Sequence, residues 1–205
     1  MLAASSHAQA GIDTSLFTTA DIDVSGSLSN TEFATTLEAG LSARAIAKSF
    51  RGADANRDGS IQLSEHLVFD GTLTYENRFE RLFYLGDANV DGSLTVEEYT
   101  AATPGKSPLW IVRRAFLRAD VDASATLSLE EYVNFRQGRT PQGESYTIFE
   151  LTDFNNDGEI TAEEFANFHR RGAPEAKVDA RFAKLDDDGD GILVTTEWNP
   201  GVKAQ

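Results

Sequence analysis

Residues 87–98 read DANVDGSLTVEE, and the same twelve-residue pattern returns five more times. The other segments are DIDVSGSLSNTE from Asp21, DANRDGSIQLSE from Asp54, DVDASATLSLEE from Asp120, DFNNDGEITAEE from Asp153 and DDDGDGILVTTE from Asp186. The starts 21, 54, 87, 120, 153 and 186 are each 33 apart. An unvarying period over six copies points to one structural unit duplicated in tandem.

The flanks repeat too. A Phe stands four residues before every segment: Phe17, Phe50, Phe83, Phe116, Phe149 and Phe182. A ring follows every terminal Glu: Phe33, His66, Tyr99, Tyr132, Phe165 or Trp198. The eighth position is always a branched aliphatic: Leu28, Ile61, Leu94, Leu127, Ile160 and Leu193. Apolar residues at fixed helical offsets face a core, so these positions are read as packing rather than as a cofactor box. Between segments the chain breaks at Gly40, Gly71, Pro104-Gly105, Gly138 and Gly172. Start signals follow at Ser42, Thr74, Ser107-Pro108, Thr140-Pro141 and Pro174. Each linker therefore reads as leaving helix, turn, entering helix, about twelve short helices in all.

Each segment fits the pattern D-x-[DN]-x-[DN]-G-x5-E, allowing Ser at the fifth position and one Ala at the sixth. On these residues the chain resembles the EF-hand superfamily, as a six-unit calcium-binding protein, over nearly everything after residue 11. The resemblance implies an all-α fold of six helix–loop–helix units, paired through short β bridges between loops. The family pairing implies a first pair over 11–75 (loops 21–32 and 54–65), a second over 76–140 (loops 87–98 and 120–131) and a third over 141–205 (loops 153–164 and 186–197).

The spacing suits calcium, which takes six to eight oxygens at roughly 2.3–2.6 Å. Positions 1, 3 and 5 supply Asp21, Asp23 and Ser25; Asp54, Asn56 and Asp58; Asp87, Asn89 and Asp91; Asp120, Asp122 and Ser124; Asp153, Asn155 and Asp157; and Asp186, Asp188 and Asp190. Position 7 supplies a backbone carbonyl from Ser27, Ser60, Ser93, Thr126, Glu159 or Ile192. Position 9 often holds a water. Position 12 supplies both oxygens of Glu32, Glu65, Glu98, Glu131, Glu164 or Glu197.

The loops are unequal. The sixth carries four carboxylates but has Val194 where a water-holding residue belongs. The fourth has Ser124 at position 5 and Ala125 where the turn favours Gly. A left-handed Ala costs about 1–2 kcal/mol, so loop 120–131 is expected to bind most weakly among up to six Ca2+ sites.

Composition bounds the rest. The 205 residues hold 33 acidic and 18 basic side chains, a net charge of −15. Such a chain repels phosphate backbones, which argues against nucleic-acid partners. With no cysteine, disulfides, zinc thiolates and a cysteine nucleophile are excluded. No run of 18 apolar residues offers a membrane span. His7, His66 and His169 form no zinc motif, no phosphate-cradling glycine loop or nucleophile elbow is present, and no enzyme activity is expected. Ala8-Gln9-Ala10 fits the pattern before a signal-peptidase cut, so residues 1–10 read as a signal remnant or a disordered tail. The first reading implies a secreted or periplasmic protein, the second allows a cytoplasmic one.

Three roles compete: a calcium buffer, store or calcium-stabilised protein; a sensor with a specific protein target; and an adhesion or scaffolding module. The only methionine is Met1, which argues against the flexible Met-rich grooves of calmodulin-like sensors. Leu109-Trp110-Ile111-Val112 is the best candidate for an exposed patch, although packing inside an entering helix accounts for it more simply. The module reading comes from dockerin-like repeats, whose loops look similar. Dockerins resemble a loop plus only the leaving helix, whereas here a Phe-bearing entering helix precedes every loop.

Overall fold

The computed structural model describes residues 11–103, 105–140 and 145–201. The signal-like segment 1–10, Pro104 and Pro141 lie outside the described residues.

The first two units contain α1 (Ser15–Ala20), β1 (Ser27–Leu28), α2 (Asn30–Thr35), α3 (Ala43–Ala53), β2 (Ile61–Gln62) and α4 (Leu63–Asp70). The middle two contain α5 (Arg78–Gly86), β3 (Ser93–Leu94), α6 (Val96–Ala102), α7 (Leu109–Ala119), β4 (Leu127–Ser128) and α8 (Leu129–Arg136). The last two contain α9 (Ile148–Thr152), β5 (Ile160–Thr161), α10 (Ala162–Phe168), α11 (Glu175–Leu185) and β6 (Ile192–Leu193). The fold is mostly helical, and its strands are two-residue bridges. β1 runs antiparallel to β2 with Leu28 opposite Ile61, and β3 to β4 with Leu94 opposite Leu127. β5 pairs with β6, placing Ile160 opposite Leu193.

Those six eighth-position side chains are fully buried, as are or nearly are all twelve flanking rings. Removing each such side chain from water is worth about 1.5–3 kcal/mol, so a unit cannot stand without the partner that covers it. The Phe before each loop has a second task. Its carbonyl accepts the N–H of the first loop Asp, as from Asp21 to Phe17 at 2.9 Å and from Asp186 to Phe182 at 3.0 Å. The residue that anchors the core thus also ends the entering helix on a carboxylate.

Three apolar clusters form, and they do not stop at the pair limits. Leu67 and Leu73 join the middle cluster with Phe83, Tyr99, Phe116 and Tyr132. Trp110, at the start of α7, is buried in the last cluster with Phe165, Phe182 and Trp198. The Leu109–Val112 run is therefore interior at Trp110 and Val112, but Trp110 packs in the core of the following pair rather than its own.

Eleven helices form among the described residues rather than twelve. After loop six the chain makes only a turn over 195–197. In four of the other five units the leaving helix follows a position-9 side chain that serves a capping box, Ser29, Thr95, Ser128 or Thr161, and in the remaining one the Gln62 N–H donates to Glu65 while its side-chain amide donates to Asp58 and Ser60. Val194 cannot accept a hydrogen bond, and Pro200 follows closely. Two entering helices also start later than the sequence suggests. α5 begins after Asn77 rather than Thr74, because the Asn77 side-chain Oδ1 accepts from the Phe79 and Glu80 N–H groups. α9 begins after Thr147, which forms a capping box with Glu150, rather than after Thr140.

Candidate metal centres

One scaffold recurs in all six loops. The Oδ2 atom of the first Asp accepts the N–H of position 6: Gly26 at 2.9 Å, Gly59 at 3.2 Å, Gly92 at 2.9 Å, Ala125 at 3.0 Å, Gly158 at 2.9 Å and Gly191 at 3.1 Å. The twelfth-position Glu is held at both oxygens. Its Oε1 accepts from position 2, as from Ala55 to Glu65 at 2.8 Å and Phe154 to Glu164 at 2.8 Å. Its Oε2 accepts from position 9, as from Ser29 to Glu32 at 2.9 Å and Val194 to Glu197 at 3.0 Å. In the first five loops this Glu is also the third residue of the leaving helix, and in four of them it is the reciprocal member of a capping box. The carboxylate that would close a metal site is therefore fixed by the helix start.

Ala125 adopts the left-handed conformation of the glycines it replaces, φ 65°. The fourth loop closes with the same bond to Asp120 as the others, so the substitution is absorbed as strain and not as a change of shape. Position 4 is left-handed as well, which the sequence reading missed. Val24, Arg57, Val90, Ala123 and Asn156 have φ between 56° and 63°. In loop six that place belongs to Gly189, the one residue of the six that takes it without a Cβ penalty.

Three loops bring three carboxylates within 4.8 Å of one another: Asp21, Asp23 and Glu32; Asp120, Asp122 and Glu131; Asp186, Asp188 and Asp190. These are the loops with Asp at position 3, and Glu197 is not part of the sixth-loop group. Where position 3 is Asn, its amide donates to the position-5 carboxylate, at 2.9 Å in Asn56–Asp58 and Asn89–Asp91 and 2.7 Å in Asn155–Asp157. Its own carbonyl oxygen remains a neutral donor for a cation. In the Ser-bearing loops the hydroxyl donates to the position-7 carbonyl, Ser25 to Ser27 at 2.9 Å and Ser124 to Thr126 at 3.0 Å. In the others the position-7 N–H of Ser60, Ser93, Glu159 or Ile192 donates to the position-5 Asp.

The electrostatics fit a hard cation. The Oδ1 atom of Asp54 is buried with no hydrogen-bond partner, a lone carboxylate oxygen that a cation contact would satisfy. Burial pushes the Asp87 carboxyl up to about 6, against hydrogen bonds from Gly92 and Asp91, and the nearby Asp91 and Glu98 charges add to the rise. Burial likewise raises Glu65 and Asp120. A divalent ion reverses that cost by stabilising the charged form. The donor set is all oxygen, as calcium takes.

A family model of the EF-hand domain pair matches residues 121–172, and a model of the single EF hand matches residues 46–65. The chain carries EF-hand domains. The EF-hand pair model falls on the fourth and fifth loops, which the β bridges assign to different pairs. No curated protein matches the chain. Among solved structures, a homolog of programmed cell death 6 protein from Leishmania major Friedlin is 24% identical over 58% of this chain and 71% of that one, with a TM-score of 0.26. A crystallised C-terminal domain is 21% identical over 60% of this chain and 74% of its own length, also at a TM-score of 0.26.

Side chains outside the loops complete the site region. Arg113 on α7 donates from Nη1 to the Glu150 carbonyl at 3.1 Å and to the Asp153 carbonyl, and from Nη2 to Asn156 Oδ1 at 3.1 Å. Arg171 donates from its guanidinium to the Thr103 and Thr100 carbonyls at the end of α6, at 3.2 and 3.4 Å. The sequence signal for Arg113 is a break in the repeat. The residue seven before each loop is Thr14, Ala47, Glu80, Arg113, Tyr146 or Asp179, a different one in every copy.

Proposed function

We propose that the chain binds up to six Ca2+ ions and works as a calcium buffer or calcium-stabilised protein. The observation that carries this is the uniform hold on the twelfth-position Glu in all six loops, which fixes a carboxylate at the close of each loop. The ligands are the residues the sequence assigns at positions 1, 3, 5, 7 and 12, with loop 120–131 the weakest because Ala125 stores strain there. Six ions would add +12 to −15 and leave −3. The organisation proposed is three pairs, over 11–75, 76–140 and 141–205. Against sensing of a protein target stands the interior itself, built of aromatic and branched side chains with no methionine among the described residues.

Calorimetric titration of the metal-free protein with calcium, followed by circular dichroism, tests the proposal. Several binding events with a gain of helix are expected, and no heat or spectral change would overturn it. Calcium-dependent binding of an apolar dye would move the role to a sensor.

A further inference from the structure

We infer that the second and third EF-hand pairs form one cooperative calcium-binding body, in which Arg113 links loop five to loop four across the pair boundary. The inference rests on the calcium reading above. It concerns a coupling distinct from the β bridge, which joins loop four to loop three and loop five to loop six.

The contact is built, not incidental. α9 has only five residues, and its last carbonyls lack partners within the helix. The Arg113 guanidinium fills that need at Glu150 and Asp153, reaches on to Asn156 in loop five, and lies over the Phe154 ring at 5.0 Å. A cation suits the negative end of a helix. Asp153 is the first ligand position of loop five, and Asn156 is its left-handed fourth residue. Arg113 thus grips the stretch whose conformation sets the site.

The other end of α7 is loop four. Arg113 stands seven residues before Asp120, about 10 Å along the helix axis. One rigid helix therefore touches loop five near its middle and presents the first ligand of loop four at its end. Trp110, one turn earlier, is buried in the third pair and stacks on Phe168 with centroids 6.3 Å apart. Arg171 returns the contact from the third pair to α6 of the second. A shift of loop five on binding an ion must move α7 or break these contacts, and a moved α7 repositions Asp120.

A guanidinium beside a cation site both orders the loop and repels the ion. A double-mutant cycle removes whichever of these does not depend on the other loop. In the full chain, amide NMR during calcium titration follows Ala125 for loop four and Gly158 for loop five. Glu164→Gln disables loop five. It is expected to shift the calcium midpoint at Ala125 by at least about fivefold, the lower end of measured coupling between sites. With Arg113→Met in place, the same Glu164→Gln change should shift it by less than about twofold. Equal shifts in both backgrounds, or no shift in either, overturn the inference while the calcium reading stands. Failure of every loop amide to respond to calcium overturns the calcium reading instead. If Arg113→Met does not fold, Arg113→Lys, which keeps the charge and loses the fork, is read by the same criterion.

Discussion

Loops four and six show that charge and scaffold are separate properties of a metal site. Loop six has four carboxylates and a glycine at both left-handed positions, yet among the described residues no leaving helix follows it. Loop four has one carboxylate fewer and a strained Ala125, yet Ser128 and Glu131 cap each other and α8 starts on them. In loop four the Glu belongs to the ligand cluster, whereas in loop six the cluster is three aspartates. Counting acidic residues ranks loop six first. Capping the helix that carries the twelfth-position Glu favours loop four.

The contrast can be broken most severely by removing calcium. A loop filled at a hundredfold excess over its dissociation constant adds about 2.7 kcal/mol to the folded state. In a chain of this size 1 kcal/mol moves Tm by about 2–4 °C. Excess chelator is therefore expected to lower Tm more than any single substitution, and identical melting curves would mean that neither scaffold nor charge is completed by the ion.

Next in size, Glu131→Ala and Glu197→Ala should part company in the metal-free protein. Glu131→Ala loses a capping-box partner, for roughly 1–2 kcal/mol. Glu197→Ala should cost less, since no helix depends on it. Chemical denaturation under chelator reads both, and equal losses would contradict the separation of scaffold from charge. Val194→Thr should supply loop six with the missing cap, adding about 0.5–1 kcal/mol and a measurable gain in far-ultraviolet helix signal. An unchanged spectrum would show that Pro200, not the cap, forbids the helix. The smallest effect belongs to Ala125→Gly. Relief of about 1–2 kcal/mol of left-handed strain is partly offset by about 0.5–1 kcal/mol of extra backbone entropy lost on folding. A net stabilisation of about 0.5 kcal/mol is expected, with tighter calcium binding by loop four; a loss of stability would show that Ala125 is not strained.

Periodic features were legible in the sequence because each depends on residues close together in the chain. The ring before and after each loop and the eighth-position aliphatic are buried where the repeat places them. The missing twelfth helix was also within reach, since Ser29, Gln62, Thr95, Ser128 and Thr161 stand three residues before a Glu and Val194 stands alone among them. Position 9 reads as a place for water in the loop pattern, whereas in four units its side chain caps the leaving helix. Left-handed Val24 and Val90 could not be foreseen, because β-branched residues avoid that conformation unless the surrounding turn imposes it. The contacts of Trp110, Arg113 and Arg171 join residues far apart in sequence, and a repeat carries no statement about which copies meet.

The two-residue bridges have a consequence for how the chain is made. Six near-identical units with equal linkers offer every interior unit two possible partners, and a bridge of two residues discriminates poorly between them. Synthesis from the N-terminus favours the bridges seen here, since the units around loops 21–32 and 54–65 emerge together before the unit around loop 87–98. That closure leaves the unit around loop 87–98 to pair with the unit around loop 120–131, and Trp110, Arg113 and Arg171 lie at the boundary with the next pair. Deleting the first unit removes the reference, so the shortened chain is expected to refold into mixed pairings rather than simply to lose one calcium site.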